Sequence, residues 1–181
     1  DGKLIKALAQ TTKTGLVFLL NRETGEPVFP VEEREVPQGA IEGDYVSKTQ
    51  PFPTKPAPLN STYFDPDKAF GFTFWDRGYC KKTAEKLRNE GLLTPPSLEG
   101  SIHYPSGVGG NNWGGPAIDP ERNIIIVNTN NMASLIVMVP REDCNKPLAE
   151  LAINKTQERF TNMMGLSSGR ESKAGVRMLV V

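Results

Sequence analysis

The sequence predicts an all-β domain of short strands, with one helix lying on its outside. Two observations carry that expectation. Glycine (17) and proline (15) are frequent among the 181 residues and punctuate short apolar runs, the pattern of strands joined by tight turns rather than of a helical bundle. The apolar runs also gather in two stretches, 4–31 and 101–139, each reading as strand, turn and strand.

Three strands open the chain, at 4–9, 16–20 and 27–31. Lys13–Gly15 turns between the first two and Arg22–Gly25 between the second and third, where Thr24-Gly25 suits a hairpin whose last turn residue needs positive φ. A meander of this kind is the unit of a propeller blade. Residues 36–66 are rich in proline around TQPFPTKPAP. A PxxP reading would make them an SH3 ligand, but a structured crossing loop is the simpler expectation. A helix is expected over 77–90, capped by Asp76 and ended by Gly91 at its C′ position. Tyr79, Thr83 and Leu87, flanked by Cys80 and Ala84, give it one narrow apolar stripe. The second β stretch holds strands at 101–104, 115–118, 124–127 and 135–139, with Asp119-Pro120 opening a turn and Asn123 closing it. The runs IIIV and LIVMV are continuous rather than alternating, which predicts burial on both faces. Beyond residue 145 the pattern is weak: Asn154-Lys155-Thr156 is a formal glycosylation sequon, and GVRMLVV closes the chain as a strand-like run. Strand-like runs at both ends and no initiating methionine read as an incomplete chain.

Composition narrows the function. Acidic and basic residues balance at 21 each, so no net field draws in nucleic acid or an anionic membrane. No apolar run approaches the ~18 residues of a membrane span. A single histidine, His103, argues against a histidine-based metal centre or a Ser-His-Asp triad. Cys80 and Cys144, far apart and outside any CxxC, allow one disulfide or two free thiols.

Three segments carry chemistry if any do. TTKTG at 11–15 places a cation in the turn before a buried strand; it is either a solvated turn lysine or an ammonium aimed at a cofactor. GGNNWGG at 109–115 sets Asn112, a donor and acceptor, and Trp113, a flat apolar face, between glycines that let backbone approach a ligand. It lacks the GxGxxG spacing of a dinucleotide fold, and a tight loop around a core tryptophan explains it equally well. GLLTPPSLEGSIHYP is structural on its face.

In this order and spacing, the stretches TKTGLVFLLNRETGEPVFPVEEREVPQGAIEGDYVSKTQPFP, FWDRGYCKKTAEKLRNEGLLTPPSLEGSIHYP and NNWGGPAIDPERN resemble the membrane-bound quinoprotein dehydrogenases, the glucose dehydrogenase branch of the enzymes that use pyrroloquinoline quinone (PQQ). The resemblance covers most of residues 10–140. It implies a partial eight-bladed β-propeller, with residues 1–181 forming part of a single PQQ-binding domain and the helix inserted at its surface. The strands at 4–9, 16–20 and 27–31 would then be the outer three of one blade.

The same resemblance implies that Lys13 contacts the quinone oxygens of PQQ and serves catalysis by holding the negative charge that develops there. Asn112 and Trp113 match a cofactor-contacting loop, and LLNRETGEPV matches a structural hairpin repeat that locks neighbouring blades. The general base and the ligands of a divalent cation (Ca or Mg) are expected upstream of Asp1; Asp44, Asp65 and Asp76 match neither role. The chain alone should therefore not turn over. The implied activity is oxidation of the CH–OH group of a sugar, polyol or cyclic hydroxy acid, with electrons passed to membrane quinone at the periplasmic face of the inner membrane. Two other readings compete: a non-catalytic propeller acting as a binding or structural module, and a small free-standing β domain with a proline-rich ligand segment.

Overall fold

The computed structural model describes residues 4–111 and 114–140. Cys144, the Asn154 sequon, the closing GVRMLVV run and two candidate site residues, Asn112 and Trp113, lie outside the described residues. In order, the described chain forms β1 (Ala7–Thr11), β2 (Val17–Asn21), β3 (Val31–Glu35), β4 (Thr49–Pro53), a one-turn 3-10 helix (Pro66–Lys68), α1 (Phe74–Ala84), β5 (Ser101–His103), β6 (Ala117–Asp119), β7 (Ile124–Ile126) and β8 (Ser134–Ile136). Among the described residues the strands pair two by two and antiparallel: β1 with β2, β3 with β4, β5 with β8, β6 with β7. Among the described residues the regular structure is mostly strand with one α-helix, as expected, and no sheet closes on itself.

The described residues of 1–36, 47–62 and 104–132 make one compact unit. The β1–β2 hairpin runs from Ala7 opposite Asn21 to Thr11 opposite Val17. Its first strand lies later than the expected 4–9 because the threonines extend the ladder up to the turn. There the Thr12 amide donates to Leu16 O (3.1 Å) and Gly15 N to Thr12 O (3.0 Å). Gly25 ends the next turn at φ 78°, as its position requires. The third strand expected at 27–31 shrinks to a bridge between Leu20 and Pro27, with Val28 N donating to Leu19 O at 2.8 Å. Pro27 and Pro30 lack the N–H that would continue a ladder, so the chain pairs further on, and the expected three-stranded meander is not formed.

The segment expected as a crossing loop supplies the partner. β4 is TQPFP itself, with Glu33 opposite Pro51 and Val31 opposite Pro53. The bonds Thr54 N to Pro30 O and Val36 N to Lys48 O make the even-numbered residues of β4 the ladder donors. Pro51 and Pro53 therefore put their missing N–H groups on the far edge, where proline is tolerated in a strand. The Arg34 guanidinium lies 5.5 Å from the centre of the Phe52 ring, within cation–π range.

In the β6–β7 hairpin the expected turn is present. Asn123 takes φ 53°, and the Asp119 carboxylate accepts from the Glu121 and Arg122 amides (3.0 and 3.1 Å) and from Arg122 Nη1 (2.7 Å). The expected burial of IIIV is not observed. Ile118 and Ile126 are each 63% exposed, with Ile124 and Ile125 exposed beside them. These two strands pair only with each other among the described residues, so both faces stay open.

The described residues of 37–46, 63–103 and 133–140 make the other unit. Here LIVMV does bury: Leu135, Ile136, Val137 and Val139 are buried, as are Ile102, Leu92 and Ala84, and Ser101 and Ser134 are almost fully enclosed. Ser101 Oγ donates to Pro95 O (2.8 Å) and pairs with Ser97 Oγ at 3.1 Å, so its burial leaves no donor unmet. The helix starts and ends earlier than the expected 77–90. Thr73 is the N-cap; its Oγ1 accepts from the Asp76 amide (3.3 Å) and donates to Asp76 Oδ2 (2.9 Å). Asp76 is thus the third residue of a reciprocal capping pair, not the cap. At the far end Arg88 leaves the helix to bridge β5, donating to Gly100 O and accepting from Ile102 N. Gly91, at φ 91°, turns the chain beyond that point. Tyr79, Cys80, Thr83 and Leu87 are half-buried and Ala84 buried, so the narrow stripe faces inward as expected.

Candidate cofactor site

Lys13 sits at the tip of the β1–β2 turn, and the turn is built to hold it. Thr12 Oγ1 bonds Leu16 O and Thr14 Oγ1, both at 2.8 Å, which leaves the small polar residues satisfied locally. Gly15 completes the turn at φ 77°.

The turn docks on the loop 106–111, the first half of the segment that contains GGNNWGG. Gly110 N donates to Lys13 O at 2.7 Å. Lys13 Nζ donates to Gly107 O at 3.2 Å. Between those two bonds the lysine stem lies directly on Gly109: a Cβ there would stand 2.8 Å from Lys13 Cγ, 2.9 Å from its Cβ and 3.0 Å from its Cα. Gly109 also takes φ 86°, so a glycine is required twice over. The exposed ammonium uses one of its three donors on Gly107. Among the described residues no carboxylate pairs with it.

The loop is itself pinned on its other side. Ser106 N donates to Met132 O (2.8 Å), Asn130 N to Gly110 O (2.7 Å) and Asn111 Nδ2 to Asn128 O (2.6 Å). Three buried polar atoms in this cluster find no partner among the described residues: Asn60 Oδ1, Ser106 Oγ and Asn111 Oδ1. An unmet buried acceptor or hydroxyl is uncommon and points to a partner beyond the described residues.

Of the residues singled out in the sequence, Lys13 is brought onto the glycine-rich loop, while Asn112 and Trp113 fall outside the described residues. Asp65 caps the 3-10 helix, accepting from Asp67 N, and Asp76 is the partner of the α1 cap Thr73. His103 lies in β5, cross-strand from Ser134; burial holds its pKa below the ordinary histidine value. Burial likewise pushes the Cys80 thiol up, with the Asp76 charge adding to it. Sequence reasoning missed Asn60, which lies between the turn and the loop; nothing in PAPLNST separates it from an ordinary loop asparagine.

Among the described residues no group of three His, Cys, Asp or Glu side chains could hold a metal ion, and no helix is long and apolar enough to cross a membrane. The family model for the PQQ glucose/ethanol/alcohol dehydrogenase β-propeller domain matches residues 1–179. The chain is 40% identical over 141 residues to the quinoprotein glucose dehydrogenase of Gluconobacter oxydans (strain 621H), covering 78% of this chain and 17% of that one. It is 35% identical over 147 residues to the quinoprotein glucose dehydrogenase of Escherichia coli (strain K12), covering 78% and 18%. It is 37% identical over 132 residues to the glycerol dehydrogenase large subunit of Gluconobacter thailandicus, covering 72% and 18%. The chain therefore spans under a fifth of the length of these relatives. No solved structure matches it.

Proposed function

We propose, from the premise that this chain belongs to the PQQ-dependent glucose/ethanol/alcohol dehydrogenase β-propeller family, that it forms part of an oxidoreductase and that Lys13 is its contact to the cofactor. The protein would oxidise the CH–OH group of a sugar, polyol or cyclic hydroxy acid and pass the electrons to membrane quinone at the periplasmic face of the inner membrane. Residues 1–181 would belong to one eight-bladed propeller domain. The observation that carries the reading is the docking of the Lys13 turn on the loop 106–111, which holds the residue by its backbone carbonyl, its stem and its ammonium.

PQQ, when bound, supplies a quinone that takes two electrons and two protons from the alcohol carbon and its hydroxyl. The residues present fit such a group. Its anionic oxygens call for a cation with free donors, and Lys13 has two N–H bonds beyond the one to Gly107. Its ring N–H calls for an acceptor, and Asn111 Oδ1 is unmet. Asn112 and Trp113 would add an amide and a flat face next in the chain. Lys13 would hold the developing negative charge as a fixed ammonium, with no reorganisation at the moment of reaction. The general base and the ligands of the divalent cation would come from outside this chain.

The test is substitution of Lys13 in the complete PQQ-loaded protein. Losing one preorganised donor to a developing anion costs ~3 kcal/mol, on the order of a hundredfold in rate. Lys13→Ala should lower turnover by that factor in dye reduction with aldoses, polyols and quinate-type acids, while PQQ binding weakens less. Lys13→Arg should recover part, because charge is kept and the planar fork differs in geometry. Equal turnover in all three forms would reduce Lys13 to a solvated turn residue.

A further inference from the structure

We propose that Asn60 is a positioning residue for Lys13: its buried side-chain amide is the keystone that holds the TTKTG turn against the loop 106–111. The inference rests on the reading of Lys13 above and names the group through which that lysine is held.

Asn60 is 5% exposed and stands where three separate segments meet. Its Nδ2 donates to Asn130 O at 2.8 Å and to Asn131 Oδ1 at 2.9 Å, so both amide hydrogens are used. Because Asn130 O can only accept, the nitrogen must face it, and Oδ1 is thereby turned the other way. On that side lie the two glycines. A Cβ on Gly15 would come within 2.7 Å of Asn60 Oδ1, and one on Gly110 within 2.4 Å. Gly15 is the last residue of the lysine turn, and Gly110 is the residue whose N–H donates to Lys13 O. The neighbouring Leu59 N donates to Gly15 O at 2.8 Å, fixing the backbone on which the amide is mounted.

The consequence is geometric. Asn130 N donates to Gly110 O, so Asn60 clamps the loop's support with its nitrogen while its oxygen wedges between the loop and the turn. Removing the amide takes away the bond to Asn130 O and opens a gap between Gly15 and Gly110. Lys13 O and Gly110 N then lose the surface that keeps them in register, and the ammonium loses its placement without any change in its own chemistry. Displacement of about 1 Å at a reacting centre can lower the rate on the order of a hundredfold.

The experiment is a double-mutant cycle in the complete protein, with turnover counted per PQQ-loaded molecule and amide hydrogen exchange followed across 12–16 and 106–111. Asn60→Ala should lower turnover about tenfold to a hundredfold in the wild-type background and less than about threefold in the Lys13→Ala background, because a residue that acts through Lys13 has nothing left to act on. It should also speed exchange at Gly110, whose N–H donates to Lys13 O. If Asn60→Ala does not fold, Asn131→Ala removes a single acceptor from an exposed position and should give the same signs with smaller size. Equal losses in the two backgrounds, or unchanged exchange at Gly110, overturn the proposal. Wild-type turnover in Lys13→Ala alone overturns the Lys13 reading instead, and the exchange rates then decide by themselves whether Asn60 holds the turn.

Discussion

Gly109→Ala isolates the contact on which the candidate site depends. The added methyl meets two penalties. At φ 86° an L-residue is held in the left-handed region, at about 1–2 kcal/mol. The methyl would also stand 2.8 Å from Lys13 Cγ and 3.0 Å from its Cα, against the ~3.5–4.0 Å of an ordinary carbon contact. The stem must retreat by most of an ångström, yet the Lys13 backbone is tied to Gly110 N at 2.7 Å. Overpacking of this kind costs roughly 1–3 kcal/mol, for a sum of about 2–5 kcal/mol with the backbone term. Gly25→Ala is the control: φ is 78° but nothing lies within 4 Å of the added methyl, so only the backbone term of about 1–2 kcal/mol applies. Urea unfolding of the complete protein should separate the two variants by about 1–3 kcal/mol. Turnover per bound PQQ should fall tenfold or more in Gly109→Ala and stay within about twofold of wild type in Gly25→Ala. Equal stability and equal turnover in the two variants would mean that the lysine stem does not rest on Gly109.

Thr73→Ala removes the oxygen that caps α1 and should lower stability by about 1 kcal/mol in urea unfolding, with turnover per folded molecule unchanged; a neutral result would show the helix to start elsewhere. His103, half-buried, has its pKa lowered by loss of solvent. The unfolded chain therefore binds more protons than the folded one just below the ordinary histidine pKa of about 6.5, and stability should rise with pH through that window and fall as the solution is acidified. His103→Gln should flatten the midpoint-versus-pH curve there; an unchanged slope would assign the dependence to other groups. Lys86→Ala, on the exposed side beyond α1, should shift stability by no more than about 0.5 kcal/mol and leave dye reduction alone, whereas a large loss of activity would put chemistry on a segment read here as packing.

The sequence by itself determined the features whose physics is local. Gly15, Gly25 and Asn123 sit in turns because only such residues take positive φ cheaply, and each turn is found where the residues placed it. The alternation of short apolar runs with Gly and Pro was enough to call for strands, and the Lys13 turn was legible from TTKTG. Tertiary structure decided the rest. TQPFP becomes β4 only because β3 offers its ladder to the even-numbered residues while both prolines face away, and no local rule weighs that register. IIIV and LIVMV read alike, yet one is exposed and the other buried, because burial depends on what packs above a strand and not on its composition. The helix begins at Phe74 because Thr73 caps it, its hydroxyl accepting from the Asp76 amide and donating to the Asp76 carboxylate, whereas the sequence alone offered Asp76 itself as the cap. The site is the extreme case. Lys13 reaches Gly107 across 94 residues and Asn60 reaches Asn130 across 70. Contacts at such separations form only once the entropy of closing the intervening chain has been offset by packing throughout the fold.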